Sequence, residues 1–175
     1  LLLTKPLGIG VLTTAAKAEL ASPEAMALAH RLMTTLNKAA RDCMVRYAVH
    51  ACTDVTGFGL LGHAFEMAQG SDTHLTLFPG EIDLIPEALE LARDGILPAG
   101  MYRNRHYAEA AVDPGSTELA VQDMLYDPQT SGGLLIAAAP EDADALLREL
   151  RGAVPSAQRI GVVEAYQGGP RISLR

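Results

Sequence analysis

Gly57, Gly59 and Gly62 stand in the spacing G-x-G-x-x-G, and Asp54 lies just ahead of them. Two chemistries fit. In a dinucleotide fingerprint the glycines let backbone approach a pyrophosphate at a helix N-terminus, and an acid about 20 residues further on binds the ribose; Glu81 or Asp83 could be that acid. The other chemistry is a metal and phosphate site. Mg²⁺ prefers hard oxygen ligands and uses one or two carboxylates while substrate phosphates complete its shell, so an Asp between a strand end and a glycine turn suits it. Asp54 argues against the dinucleotide, because a carboxylate at the point of pyrophosphate approach repels it unless a metal intervenes. A six-stranded dinucleotide domain would also need strands that this sequence lacks. Asp54 has a plain alternative as a loop residue accepting backbone N–H bonds, and spacing alone does not decide between the two.

A second stretch, Asp127-Pro128-Gln129-Thr130-Ser131-Gly132-Gly133, precedes the apolar Leu134-Leu135-Ile136. It reads as an Asp-Pro turn and a flexible lead into a buried strand, or as a backbone-rich loop that lets another chain or domain come close. Ser131 is not in a nucleophile elbow, for G-x-S-x-G is absent. His30, His50, His63, His74 and His106 are scattered without H-E-x-x-H spacing and read as structural or solvated. His63 is the exception to watch, since it lies on the helix that begins at the glycine turn. Cys43 and Cys52 lack zinc-ligand or C-x-x-C spacing and read as small buried apolar side chains in a reducing cytosol. No catalytic dyad can be assembled.

The elements that would carry these residues alternate between helix and strand. Leu1 to Thr4 resembles a strand entered midway, which suggests a fragment lacking its N-terminal portion; a breaker-rich turn and an Ala-rich helix over Leu12 to Leu20 follow. Ser22 is a good N-cap, with Pro23 and Glu24 suited to the first turn. Met26, Ala29, Met33, Leu36, Ala40, Cys43 and Tyr47 then recur at steps of three and four, predicting one long helix with a core-facing stripe. A short strand at Val49 to Thr53 leads to a helix capped by Thr56, buried through Leu61, Ala64, Phe65 and Ala68 and ended by Gly70. His74 to Phe78 alternates as a strand, and a helix after Pro86 turns Leu89 and Ala92 inward and stops at Gly95. Leu97 to Gln122 reads as a long irregular excursion with at most one short helix near Tyr107. Gly133 to Ala139 is a strand, Glu141 to Arg151 a well-marked helix, and Arg159 to Ala165 and Arg171 to Leu174 are closing strands. The sum is an α+β fold, helices on a mixed sheet, of ferredoxin-like character.

With 175 residues, 49% hydrophobic and 5% aromatic, the chain can bury one aliphatic core. A net charge of −7 with no basic cluster argues against nucleic acid as a direct ligand. No stretch approaches the roughly 18 apolar residues of a membrane span, and LLLTKPLG is too short for a secretory signal. The reading is a soluble, cytoplasmic protein.

Three segments, LLLTKPLGIGVLTTA, ACTDVTGFGLLGHAFEMA and DPQTSGGLLIA, with GMYRN at Gly100 to Asn104, together resemble the C-terminal domain of the selenophosphate synthetases, also called selenide, water dikinases. The resemblance covers nearly the whole chain. It implies a domain of the superfamily that includes aminoimidazole ribonucleotide synthetase, thiamine phosphate kinase and a hydrogenase maturation factor. It further implies an enzyme, a homodimer, that makes selenophosphate, AMP and phosphate from ATP, selenide and water. By the same resemblance Asp54 is a Mg²⁺ ligand, and backbone at Thr56, Gly57 and Gly59 lies near the ATP phosphates. The family's catalytic Cys or selenocysteine, its neighbouring Lys and most ATP and metal aspartates belong to an N-terminal domain outside this chain. Neither Cys43 nor Cys52 therefore inherits the nucleophile role, no catalytic residue is expected in residues 1 to 175, and the chain alone should be inactive. The alternatives are another ATP-dependent enzyme of the superfamily, or a non-catalytic binding or dimerisation module.

Overall fold

A computed structural model describes all residues, Leu1 to Arg175. The strand β1 (Leu2–Leu3) enters first, and Gly8, at φ 131°, turns the chain into α1 (Ile9–Lys17). Ser22 caps α2 (Pro23–Thr34) by accepting the Ala25 N–H, as its sequence position predicts. The long helix expected through Tyr47 is broken here. Thr34 and Thr35 turn their hydroxyls back onto the carbonyls of His30 and Arg31, Thr35 becomes extended, and α3 (Lys38–Met44) starts afresh. Hydroxyls that compete for helix carbonyls favour such an end. The stripe consequently serves two cores: Met26, Ala29 and Met33 pack with α1, Ala40, Cys43 and Tyr47 pack elsewhere, and Leu36 between them is exposed.

β2 (Val49–Asp54) leads through the glycine turn to α4 (Gly59–Gly70), then β3 (Thr73–Leu77) and α5 (Pro86–Arg93). The stretch from Leu97 to Gln122, expected to be irregular, contains α6 (Ala99–Ala108), the short β4 (Val112–Asp113) and the start of α7 (Leu119–Tyr126). The inward face of α6 is Met101, Asn104 and Ala108, so a buried polar residue interrupts the apolar period that would have revealed it. β5 (Leu134–Ala138), α8 (Pro140–Ala153), β6 (Gln158–Arg159), β7 (Gly161–Ala165) and β8 (Ile172–Leu174) complete the chain.

The α+β class holds, with the strands divided between two four-stranded sheets. One has the order β2-β5-β1-β6 and is antiparallel throughout; the other, β4-β8-β3-β7, is mixed. Alternation along the first sheet sends Leu3, Leu135 and Ala137 into the central core with α4, α6 and α7, and sends Leu2, Leu134 and Ile136 under α3 and α8. A third core joins α1, α2, α5 and α7. β2 lies at the edge of the first sheet and ends at Asp54, beside the start of β5.

Candidate functional site

Asp54 pairs with Leu134 at the last rung of the β2 and β5 ladder. Strand alternation leaves His50, Cys52 and Asp54 exposed on one side. No N–H or cation of the chain bonds to the Asp54 carboxylate; its carbonyl accepts the Thr53 hydroxyl at 3.3 Å. Cys52 is thus exposed, contrary to the buried position expected for both cysteines, because the outward rungs of an edge strand have no helix over them; Cys43 is buried. Local shielding, with the Asp54 charge adding to it, pushes the Cys52 thiol up, the opposite of what a nucleophile needs.

Beyond Asp54 the chain is tied down residue by residue. Val55 is fully buried and donates its N–H to the Gly133 carbonyl at 2.8 Å. The Thr56 carbonyl accepts the N–H groups of Gln129 (2.9 Å) and Gly59 (3.0 Å). Asn104, buried on α6, donates through Nδ2 to the carbonyls of Gly57 and Tyr126, each at 2.9 Å. Gly59 sits at φ 69°, and a Cβ there would lie 2.6 Å from the Tyr126 carbonyl oxygen. Gly59 therefore serves close packing, and its N–H is engaged. The N–H groups of Thr56, Gly57 and Phe58 have no partner in the protein, and around Gly57 the space is open. Thr56 does not cap α4. Phe58 holds the N-cap position, two residues later, and the Thr56 hydroxyl meets His63 Nε2 at 3.2 Å instead. His63 Nδ1 lies 3.3 Å from Glu66, so the histidine singled out from sequence braces the turn.

The loop from Asp127 to Gly133 runs directly beside this turn and is held from beneath. Gln129 accepts the N–H groups of Gly8 and Ile9 through Oε1 and donates from Nε2 to Asp127. Asp127 Oδ2 accepts the Gly10 N–H at 2.9 Å, while Oδ1 has no hydrogen bond of proper geometry. Burial pushes the Asp127 carboxyl up to about 7, against the opposing pull of Gln129 and of the N–H groups that open α1. Lys5, also buried, donates from Nζ to the carbonyls of Leu32, Thr35 and Ser131 at 2.7 to 2.8 Å. Its pKa is lowered by that burial.

A cleft of about 590 Å³ opens between the turn and α6, bounded by Gly57, Phe58, Arg103, Asn104 and Tyr107. Phe58 stacks on Tyr107 with ring centroids 5.7 Å apart, and the exposed Arg103 has no carboxylate partner. The larger cleft, about 990 Å³ between α8 and residues 78 to 83, shares no residue with the turn and is lined by charges of both signs. Sequence reasoning missed Lys5, Asn104 and Arg103 as parts of the site; the GMYRN string was the available signal for the last two. Nowhere do three or more His, Cys, Asp or Glu side chains converge on a point that could hold a metal ion. Asp54 can supply one carboxylate to a hard cation, which fits an Mg²⁺ whose other ligands come from phosphates and other polypeptide. Asp127, the other acid near the loops, is turned into the protein.

The chain is thus an α+β domain of two four-stranded sheets that presents the Asp54 carboxylate beside the unpaired N–H groups of Thr56, Gly57 and Phe58. Residues 1–171 match the family described as AIR synthase related protein, C-terminal domain, and the chain belongs to that family. Among relatives, it is 45% identical over 86% of its length to the selenide, water dikinase of Treponema denticola, covering 42% of that protein. It is 49% identical to that of Caldanaerobacter subterraneus over 86% of the chain and 44% of the relative. For Citrifermentans bemidjiense the identity is 46% over 97% of the chain and 49% of the relative. The chain thus spans about half the length of the curated relatives it matches. The fold is shared with the hydrogenase maturation protein HypE in complex with ATP (TM-score 0.63, 17% identity, 95% of this chain and 42% of that one). It is shared also with thiamine monophosphate kinase from Aquifex aeolicus (TM-score 0.59, 14% identity, 99% and 48%). No helix is long and apolar enough to cross a membrane.

Proposed function

We propose that this chain is the C-terminal domain of a selenide, water dikinase, which makes selenophosphate, AMP and phosphate from ATP, selenide and water. In this reading Asp54 contributes one ligand to the Mg²⁺ that accompanies ATP, and an N-terminal domain supplies the nucleophile and the remaining ligands. The observation that carries it is the Asp54 carboxylate, exposed at a strand end, free of protein donors and flanked by unpaired N–H groups. Bound there, the cation would neutralise charge on the phosphate oxygens. The chain's own part is positioning: Val55, Asn104 and Gln129 fix the backbone that carries Asp54, and the unpaired N–H groups of Thr56 and Gly57 would be available to ligand oxygens. Phosphoryl transfer is accelerated chiefly by such placement and charge stabilisation, so one carboxylate from a helper domain is chemically sufficient. The same reading makes the protein a cytoplasmic homodimer whose isolated C-terminal domain is inactive.

Asp54→Asn in the full-length protein tests this. Selenide-dependent AMP formation should fall at least a hundredfold, on the order of losing one strong charge interaction in the transition state, with thermal unfolding unchanged. Wild-type turnover in a folded Asp54→Asn protein would rule out the metal role. Turnover without selenide would point instead to another ATP-dependent enzyme of the family.

A further inference from the structure

Thr130, Ser131, Gly132 and Gly133 donate no N–H hydrogen bond to the protein. Gly132 and Gly133 are nevertheless buried, and a buried N–H without a partner is rare in folded chains. Their carbonyls show the opposite pattern. Ser131 O accepts from Lys5 Nζ at 2.7 Å, Gly132 O from Asn37 Nδ2 at 2.9 Å, and Gly133 O from Val55 N at 2.8 Å. In a trans peptide the N–H points away from the preceding carbonyl. The Gly132 and Gly133 N–H groups therefore face away from Lys5 and Asn37. Ser131, at φ 50°, occupies the left-handed region that side chains avoid. A left-handed residue within a run of free N–H groups is the backbone signature of an anion-binding concavity. A packing reason holds the run in place, since a Cβ on Gly132 would lie 2.0 Å from the Val55 carbonyl oxygen. Lys5 lies behind the Ser131 to Gly132 peptide, where its charge polarises that peptide and strengthens the Gly132 N–H as a donor.

We infer that residues 130 to 133 form a backbone cradle for a phosphoryl group, an element that deepens and rests on the proposed function. Phosphate is favoured over other anions by position. Asp54 is paired with Leu134, the residue after the cradle, and the Gln129 N–H bonds to Thr56 O, so the unpaired groups at 56 to 58 and 130 to 133 lie on adjoining strands of backbone beside the carboxylate. An oxyanion in the cradle could then share a cation with Asp54. Recognition belongs to the main chain, with the exposed Thr130 and Ser131 side chains secondary.

The test is amide NMR of the isotope-labelled full-length protein, titrated with inorganic pyrophosphate without Mg²⁺ against chloride at matched ionic strength. Residues 130 to 133 should show the largest saturable shifts. Thr130→Asp, which sets a like charge beside the cradle on an exposed residue, should weaken binding about tenfold or more, and Thr130→Ala should leave it within about threefold because the N–H groups remain. Asp54→Asn should keep the Mg²⁺-free shifts and tighten the binding, because it removes a like charge beside the cradle, so a failure of the metal assignment leaves this inference standing and the reverse also holds. Absence of saturable shifts at 130 to 133, shifts confined to 56 to 58, or wild-type affinity in Thr130→Asp would overturn it.

Discussion

Replacing Asp127 with Asn should favour the variant increasingly as pH rises, by roughly 3 kcal/mol more at pH 8 than at pH 5. Asp127 is fully buried, and its carboxyl rises from 3.8 to about 7 in the folded state. A group whose native pKa lies above its unfolded value gives stability that is complete below the unfolded value and disappears as pH rises to the native one. Each pH unit between the two is worth about 1.4 kcal/mol, so roughly 3 kcal/mol should be lost between pH 5 and 7, with a plateau above. Geometry explains why Asn is a fair substitute for the protonated acid. Oδ2 already accepts from Gly10 N–H and Gln129 Nε2, so the proton resides on Oδ1, where an Asn amide group would stand in the same unpaired position. Urea unfolding of both proteins from pH 5 to 8.5 isolates the effect, because every other titrating group cancels in the difference. The expected difference grows by roughly 3 kcal/mol in favour of the Asp127→Asn protein across that range. A difference that stays flat would show that Asp127 is held as an anion by the start of α1 and that the burial argument is wrong.

Gly59→Ala should destabilise by about 2 to 4 kcal/mol, since a Cβ would meet the Tyr126 carbonyl at 2.6 Å and the backbone is left-handed. Gly57→Ala, with open space, should cost under about 1 kcal/mol; denaturant midpoints distinguish the two. Lys5→Met keeps the aliphatic stem but leaves three carbonyls without their donor, for an expected loss of about 3 kcal/mol or more in urea unfolding. Asn104→Leu should cost about 2 kcal/mol by removing the donor to Gly57 and Tyr126 carbonyls, and hydrogen exchange should then quicken at Val55 ahead of the sheet interior.

The parts of this fold that sequence made legible are those whose burial follows one period. The helix over Glu141 to Arg151 and the strand over His74 to Phe78 form as expected, with Leu146, Leu147 and Leu150 buried on α8 and Leu75 and Leu77 on β3. Periodicity failed where a polar group carries the packing. α6 was hidden because Asn104 occupies an inward position, and the break before α3 was hidden because apolar spacing continues through Leu36 while two threonines end the helix by local bonds. The glycine turn could be read as a phosphate or metal element, but the tie between it and the Asp127 to Gly133 loop could not. That tie is made by Gln129 and Val55 main chain across a separation of some seventy residues or more, which no local pattern encodes.

The distribution of buried polar groups gives the physical reason for regarding the two loops as one device. Eight polar or charged residues are buried: Thr4, Lys5, Asn104, Asp123, Asp127, Gln129, Gln158 and Ser173. Five of these, Thr4, Lys5, Asn104, Asp127 and Gln129, bond to the turn, to the 127 to 133 loop or to the strand start that follows it. Burying such groups is unfavourable unless each finds partners, and even then the net gain per bond is small. A fold selected for stability alone would place leucine at several of these positions. What the polar residues secure instead is the conformation of backbone that would otherwise be mobile: left-handed Ser131, left-handed Gly59 and the free N–H groups between them. Backbone donors recognise an anion well only if they are already in place when it arrives, since ordering them afterwards would consume the binding energy. The concentration of buried polarity under these loops is therefore what the proposed oxyanion cradle requires, and Asp54, an acid whose carboxylate has no partner in the protein, is paired on the ladder with Leu134, the residue that follows the cradle.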